Sequence, residues 1–255
     1  MNLRLTLSYD GTGFRGWARQ PGLRTVEGTL ATALDERYPG WHGLAVAGRT
    51  DTGVHALRQV ASVRVAAGPP PASAAAALNA ALPDDVVILD AAEAPDTFHA
   101  RHSARARSYL YRVRVARPPS ALDARRALHH PGALDRAVLH AWAAALHGTH
   151  DFTAFTPTET QHETFTRAVH HAAWADAGDE LHFTIAADSF LRHMVRTLVG
   201  TMLVAARGEP THAAAALLAG APRSAAGPTA PPHGLYLAGV RFEGEEPGRE
   251  LVGIH

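Results

Sequence analysis

Short period-two runs separated by helical stretches recur through both halves of this chain, and that alternation limits it to a layered fold. Leu3–Tyr9, Ala61–Val65, Val86–Asp90, Ser108–Val115, Ala168–Trp174, Leu181–Ala187 and Leu235–Phe242 alternate as half-buried strands do. Val26–Arg37 (with Thr25 placed to cap it), Ser73–Ala81, Ala133–Leu146, Phe190–Ala206 and Thr211–Leu218 carry helical spacing. The mixture predicts an α/β or α+β sandwich in which helices cover one face of a sheet. Gly-Pro-Pro-Pro at 68–71 and GPTAPPHG at 227–234 read as loops, and the Glu-rich tail after Phe242 reads as solvated. Two domains are expected, 1–102 and 103–255, each with a strand–helix–strand flavour and no convincing sequence repeat between them.

Composition narrows the chemistry. The 255 residues contain no cysteine, which excludes a disulfide framework, thiolate zinc, an iron–sulfur cluster and a cysteine nucleophile. No apolar run approaches the roughly 18 residues that span a bilayer. The opening MNLRLTLSYDG alternates like a strand and lacks the apolar core of a secretory signal, so a cytoplasmic protein with no membrane partner is expected. All 24 basic side chains are Arg, and they balance 24 acids, which argues against a general polyanion binder. Their distribution is uneven, because residues 97–122 hold 6 Arg and no acid. Guanidinium forks suit phosphate contacts and stacking on bases, so this stretch is a candidate nucleic-acid contact.

Four clusters could carry chemistry. Ala47-Gly48-Arg49-Thr50-Asp51-Thr52-Gly53-Val54-His55 sets a carboxylate between two glycines, with an Arg two residues before it. Asp51 there suits a nucleophile or a base, and equally a residue that closes a turn. Asp51-Thr52-Gly53 also spells the aspartic-protease tripeptide, but that site needs a second carboxylate, and no second copy exists in the chain. Tyr9 to Gln20 leaves a strand into a Gly-rich loop bearing Phe14, Trp17, Arg15 and Arg19, a footprint that suits looped RNA; its spacing matches neither P-loop nor Rossmann fingerprint.

The third cluster, Phe98 to Arg107, leads into a strand with Tyr109, Tyr111 and Val113 on one face and Leu110, Arg112 and Arg114 on the other. Tyr109, at the start of that strand, could stack on a base, whereas Tyr111 reads as core. In the fourth, Leu191, Met194, Val195, Leu198 and Met202 form a helical apolar stripe. Arg196 falls inside it and so needs a partner; Arg192 reads as a surface residue. The 17 histidines include adjacent pairs that cannot face one ion, and helical zinc spacings do not stand out, so no metal is assigned.

Taken in order, these segments resemble the tRNA pseudouridine synthase A family. The resemblance rests on Tyr9-Asp10-Gly11 with Phe14, Gly16-Trp17 and Gln20; on Ala47 to His55; on Phe98-His99-Ala100-Arg101 before Tyr109 and Tyr111; on His150-Asp151-Phe152-Thr153 with Phe155; on Phe190 with His193-Met194-Val195-Arg196; and on Gly234-Leu235-Tyr236-Leu237. It implies an α+β fold of two ferredoxin-like (RRM-like) domains, with largely antiparallel sheets flanked by helices and a central basic active-site cleft. It also implies a homodimer that isomerises uridines on the 3′ side of the tRNA anticodon stem-loop, with no cofactor and no metal.

By the same resemblance Asp51 is the catalytic nucleophile, Arg196 its ion-pair partner, Arg49 lies near the flipped nucleotide, and Tyr109 packs against the target base. Arg15, Gln20, Arg101 and Arg105 are assigned to RNA contact. The residues alone fit attack on the sugar, attack on the base, or removal of a ribose proton. One departure is visible, since Ala18-Arg19 follows Trp17 where many relatives have Gln before the Arg. The other readings are an RNA-binding module without chemistry, for which the carboxylate would be unnecessary, and the protease.

Overall fold

The computed structural model describes residues 1–160 and 162–246. The chain divides into two compact units, Met1–Arg107 with the strand from Tyr236 on, and Ser108–Leu235. Both are mixed α+β. The sequence boundary at 103 therefore misses in two ways: the division falls after Arg107, and the last strand returns to the first unit. It returns because Tyr236 and Leu237 pair in parallel with His55 and Ala56, a long-range contact invisible in local sequence.

The first unit contains β1 (Asn2–Tyr9), α1 (Val26–Arg37), β2 (His42–Val46), β3 (His55–Arg64), α2 (Pro71–Asn79), β4 (Val86–Ala94) and the last strand, β10 (Leu235–Phe242). β1 runs antiparallel to both β3 (Leu5 opposite Ala61) and β4 (Asn2 opposite Ala94). β2 and β10 share one edge of β3, β2 opposite its far half at Ala61–Arg64 and β10 opposite its start. Leu3, Leu5 and Leu7 of β1 are fully buried, as are Leu30 and Leu34 of α1 and Leu78 of α2. Each such side chain contributes on the order of 1.5–3 kcal/mol relative to exposure. α1 begins where the sequence places it, because Thr25 accepts a hydrogen bond from Gly28 N at 3.2 Å.

The second unit takes most of β5 (Ala104–Arg114), then β6 (Leu128–His129), α3 (Arg136–Ala145), β7 (Gly148–Asp151), β8 (Thr166–Ala177), β9 (Glu180–Ala187), α4 (Met194–Ala206) and α5 (Ala214–Leu217). Its sheet order is β5-β9-β8-β7, with β6 parallel to the end of β5. The neighbours β5-β9-β8 repeat the order β1-β3-β2 of the first unit, so the duplicated flavour lies in topology and not in sequence. α3 lies on α4 and β8. It starts three residues later than its periodicity predicts, because the Asp135 carboxylate accepts from Ala137 N (2.8 Å) and Val138 N (3.3 Å).

α4 also starts late. His193 sits at φ 61°, the left-handed region, which ends helical geometry on its N-terminal side. Phe190 is thereby off the helix and meets Tyr109 edge-on, with ring centroids 4.9 Å apart. Tyr109 lies mid-strand and not at the strand's start, since β5 begins at Ala104. The tail after Phe242 is more engaged than its composition suggests. Glu243 pairs with Arg105, and half-buried Glu245 pairs with Arg4 at 2.9 Å and accepts from Phe242 N. The rest of that tail, from 247, lies outside the described residues.

Candidate active site

The Asp51 loop joins β2 to β3 and locks against the Gly-rich loop that follows β1. Trp17 N donates to Thr50 O at 3.0 Å, Gly53 N to Phe14 O at 3.3 Å, and Val54 N to Asp51 O at 3.1 Å. The approach is close enough to require glycine. A Cβ on Gly11 would stand 2.1 Å from Val54 O, and one on Gly16, already at φ +89°, would stand 2.9 Å from Thr50 O. The glycines of the Tyr9–Gln20 cluster thus serve contact between two loops. Asp51 emerges half-buried, Arg49 and Thr52 are exposed, and Val54 and His55 are buried.

Beneath the loop, Gln59, fully buried in β3, donates to Gly48 O at 2.7 Å and to the Tyr9 hydroxyl at 3.4 Å. The Tyr9 hydroxyl lies 2.8 Å from Thr50 Oγ1. Burial pushes the Tyr9 phenol up to about 12, against the smaller opposing pull of its bonds to Thr50 and Gln59. It stays protonated at any working pH, and so both accepts from Gln59 and shares a hydrogen bond with the Thr50 hydroxyl. Arg107 completes the support, with Nε 3.1 Å and Nη2 2.9 Å from Ala47 O. Of these three supports Tyr9 and Arg107 lay in segments singled out in the sequence, Tyr9 as the head of the Gly-rich cluster and Arg107 as one of a basic run; Gln59 did not.

In the second unit, Tyr109 is 9% exposed and its ring is oriented by Phe190. Arg196 is half-buried on α4, as its place in the apolar stripe requires, and Arg192 is exposed. The Arg196 Nε donates to Ala230 O at 2.8 Å, while Ala230 N donates to Arg196 O at 3.0 Å. Helix and 227–234 segment are therefore tied at the arginine itself. Tyr111 is core, as expected, with its hydroxyl donating to Pro231 O at 2.8 Å. Burial raises that hydroxyl's pKa, and Arg196 pulls only part of the shift back.

The basic stretch is far less available than its composition suggests. Arg105 meets Glu243 at 2.6 Å, Arg107 grips backbone carbonyls, Arg112 makes a fork with Glu180 at 2.7 and 2.8 Å, and Arg114 meets Asp179 at 3.1 Å. Their acids come from distant sequence, which a window count cannot see. Arg101 and Arg117 reach solvent, as does Arg15. Gln20 is exposed, and its amide donates to Arg15 O at 3.1 Å, so it braces the Gly-rich loop. A cavity of about 210 Å³ in the first unit, lined by Tyr9, Asp10, His55, Asp84, Asp85 and Tyr236, does not include Asp51. Its three carboxylates give it the wrong sign for phosphate. Among the described residues no group of three or more His, Asp or Glu side chains converges as a metal site requires, and no helix is long and apolar enough to cross a membrane.

Known proteins resolve what this arrangement belongs to. A family model described as tRNA pseudouridine synthase matches residues 142–243. The tRNA pseudouridine synthase A of Geobacillus sp. (strain WCH70) is 40% identical over 247 residues, covering 94% of this chain and 98% of its own. Its namesake in Paracoccus denitrificans is 42% identical over 94% of this chain and 95% of its own, and that of Rhodospirillum rubrum 40% identical over 95% and 88%. The chain belongs to the tRNA pseudouridine synthase A family. Among solved structures, a chain of a Cbf5-Nop10-Gar1 complex superposes with a TM-score of 0.35 at 11% identity, a level from which neither fold nor function follows.

Proposed function

We propose that this chain isomerises uridine to pseudouridine in the anticodon stem-loop of tRNA, with Asp51 as the catalytic nucleophile. Family membership supports the reaction and the tRNA substrate. The observation that carries the aspartate is its presentation: a half-buried carboxylate at the tip of a loop whose backbone carbonyls on both sides are engaged. A group so held keeps its orientation when a base arrives, which is what attack at one atom needs.

The reaction balances within one nucleotide. The N1–C1′ bond breaks, C5 bonds to C1′, the C5 proton leaves and N1 gains one. No electrons are exchanged with a partner, so the residues need only evert the uridine, hold the uracil while it turns, and hold the sugar. Asp51 supplies the attacking carboxylate, Arg196 its counter-charge and Tyr109 a flat surface for the base; the ordered motifs support these roles. Arg49, exposed two residues before Asp51, suits the everted nucleotide's phosphate. Arg15, Gln20, Arg101 and Arg105 belong to the RNA contact in this reading, Arg105 by exchanging an exposed carboxylate for a phosphate. The strand orders β4-β1-β3-β2 and β5-β9-β8 support a ferredoxin-like (RRM-like) reading of both units. Homodimer assembly, on the resemblance alone, and cytoplasmic action, on the sequence reading, complete the proposal.

The test is Asp51→Asn, which keeps shape and removes charge. Pseudouridine formation on unmodified tRNA transcripts, mapped at nucleotide resolution, should be abolished while tRNA affinity stays within about threefold. Turnover by Asp51→Asn at more than a few percent of wild type would refute the nucleophile.

A further inference from the structure

The loop that bears Asp51 is supported in an unusual manner. Loop carbonyls ordinarily face water, and such segments belong to the least stable parts of a fold. Here the polar atoms around Asp51 are met in sequence: Ala47 O by Arg107, Gly48 O by Gln59, Thr50 Oγ1 by the Tyr9 hydroxyl, Thr50 O by Trp17 N, and Asp51 O by Val54 N. Three of the five are side-chain bonds, and they come from three different strands, β5, β3 and β1. Gln59 is fully buried and Tyr9 is 4% exposed, so both side chains are held by packing. Arg107 spends its guanidinium on main-chain oxygens, reaching Arg101 O at 2.9 Å and Ala104 O at 3.3 Å besides Ala47 O. A fork on one carbonyl fixes direction as well as distance.

We propose that Arg107, with Gln59 and Tyr9, is a positioning residue for Asp51, setting where its carboxylate stands without touching substrate. The proposal rests on the reading of Asp51 as the nucleophile. It removes Arg107 from the RNA-contact role that its place in a basic stretch suggests. A displacement of about 1 Å at a reacting group can lower a rate by up to about 100-fold while leaving binding intact. The three supports should therefore act on kcat and leave KM for tRNA alone.

The experiment compares Arg107→Met, Arg107→Lys, Tyr9→Phe and Asp51→Asn, each checked for thermal unfolding, in steady-state pseudouridine formation and in tRNA binding. Arg107→Met should lower kcat about tenfold or more with KM and the salt dependence of binding unchanged. Arg107→Lys, with its single point of donation, should recover only part of that loss. Tyr9→Phe keeps the ring and removes one hydroxyl; it should lower kcat about threefold to tenfold, and it tests the proposal should Arg107→Met fail to fold. The proposal is overturned if folded Arg107→Met or Tyr9→Phe keeps wild-type kcat, or if Arg107→Met instead raises KM and flattens the salt dependence while Lys substitutes fully, as a phosphate contact would. An inactive Asp51→Asn beside unaffected supports sinks the positioning role alone, whereas an active Asp51→Asn sinks the reading beneath it.

Discussion

Gly200→Ala separates what a helix prefers from what this helix touches. Gly200 lies in the middle of α4, where Ala is favoured over Gly by about 1 kcal/mol. The structure reverses the sign. A Cβ there would stand 1.8 Å from Pro228 O and 2.9 Å from Pro228 C, both backbone atoms. The crossing segment must retreat by roughly 1.5 Å to reach ordinary contact. It is anchored on both sides of the clash, by Gly227 N to Thr201 Oγ1 at 2.9 Å, Ala230 N to Arg196 O at 3.0 Å and Arg196 Nε to Ala230 O at 2.8 Å. Losing two such bonds at about 1 kcal/mol each, plus about 2 kcal/mol of overpacking strain, outweighs the helix gain. The net loss is about 3 kcal/mol, or a fall of about 6–12 °C in the melting temperature for a chain of this size. Thermal unfolding by circular dichroism reads it directly. Because the displaced segment holds Arg196, kcat should fall as well. A variant that melts at or above the wild-type temperature would refute the steric argument, since helix propensity would then have decided the outcome.

Two further outcomes follow from charge placement. Burial pushes the Glu180 carboxyl up, but its bonds to Arg112 and His182 together outweigh that and leave it below the ordinary glutamate value. A depressed folded pKa stabilises above the unfolded value and loses that contribution as pH falls through the folded one. The melting temperature of Glu180→Gln should therefore decline less than wild type below the ordinary glutamate range; parallel acid limbs would exclude the linkage. Arg101→Gln should reduce the salt slope of tRNA binding by about one phosphate contact, while Arg114→Gln, whose side chain is held by Asp179, should leave the slope unchanged. Equal effects of the two would show that the internal pairing does not withhold Arg114 from RNA.

The elements legible in sequence were those whose cause is local. α1 was readable to the residue because Thr25, Glu27 and Arg37 punctuate it, and the last strand because Leu235 to Phe242 is an almost continuous apolar run that follows a Pro- and Gly-rich loop. β2, β6 and β7 escaped for one shared reason. They are short, from two to five residues, and owe their conformation to the strand beside them. The start of α4 escaped for another: nothing in Phe190-Leu191-Arg192-His193 announces that His193 takes a left-handed backbone.

The site divides along the same line. Asp51 was visible because a carboxylate between glycines is rare enough to notice and because the ordered motifs around it resemble one family. Its supports were not, since each is an ordinary residue in an ordinary place. Gln59 sits in a plain strand, Tyr9 opens the Gly-rich cluster with nothing to mark its hydroxyl as a support for another loop, and Arg107 hides among five other arginines. What distinguishes them is the acceptor each one reaches, 11, 41 or 60 residues away. The same distance explains the overcounted basic stretch. Charge summed over a window treats every guanidinium as available, but Glu180 and Asp179 answer Arg112 and Arg114 from more than sixty residues further on. A sequence window thus identifies groups that could do chemistry, and long-range pairing decides which of them are left to do it.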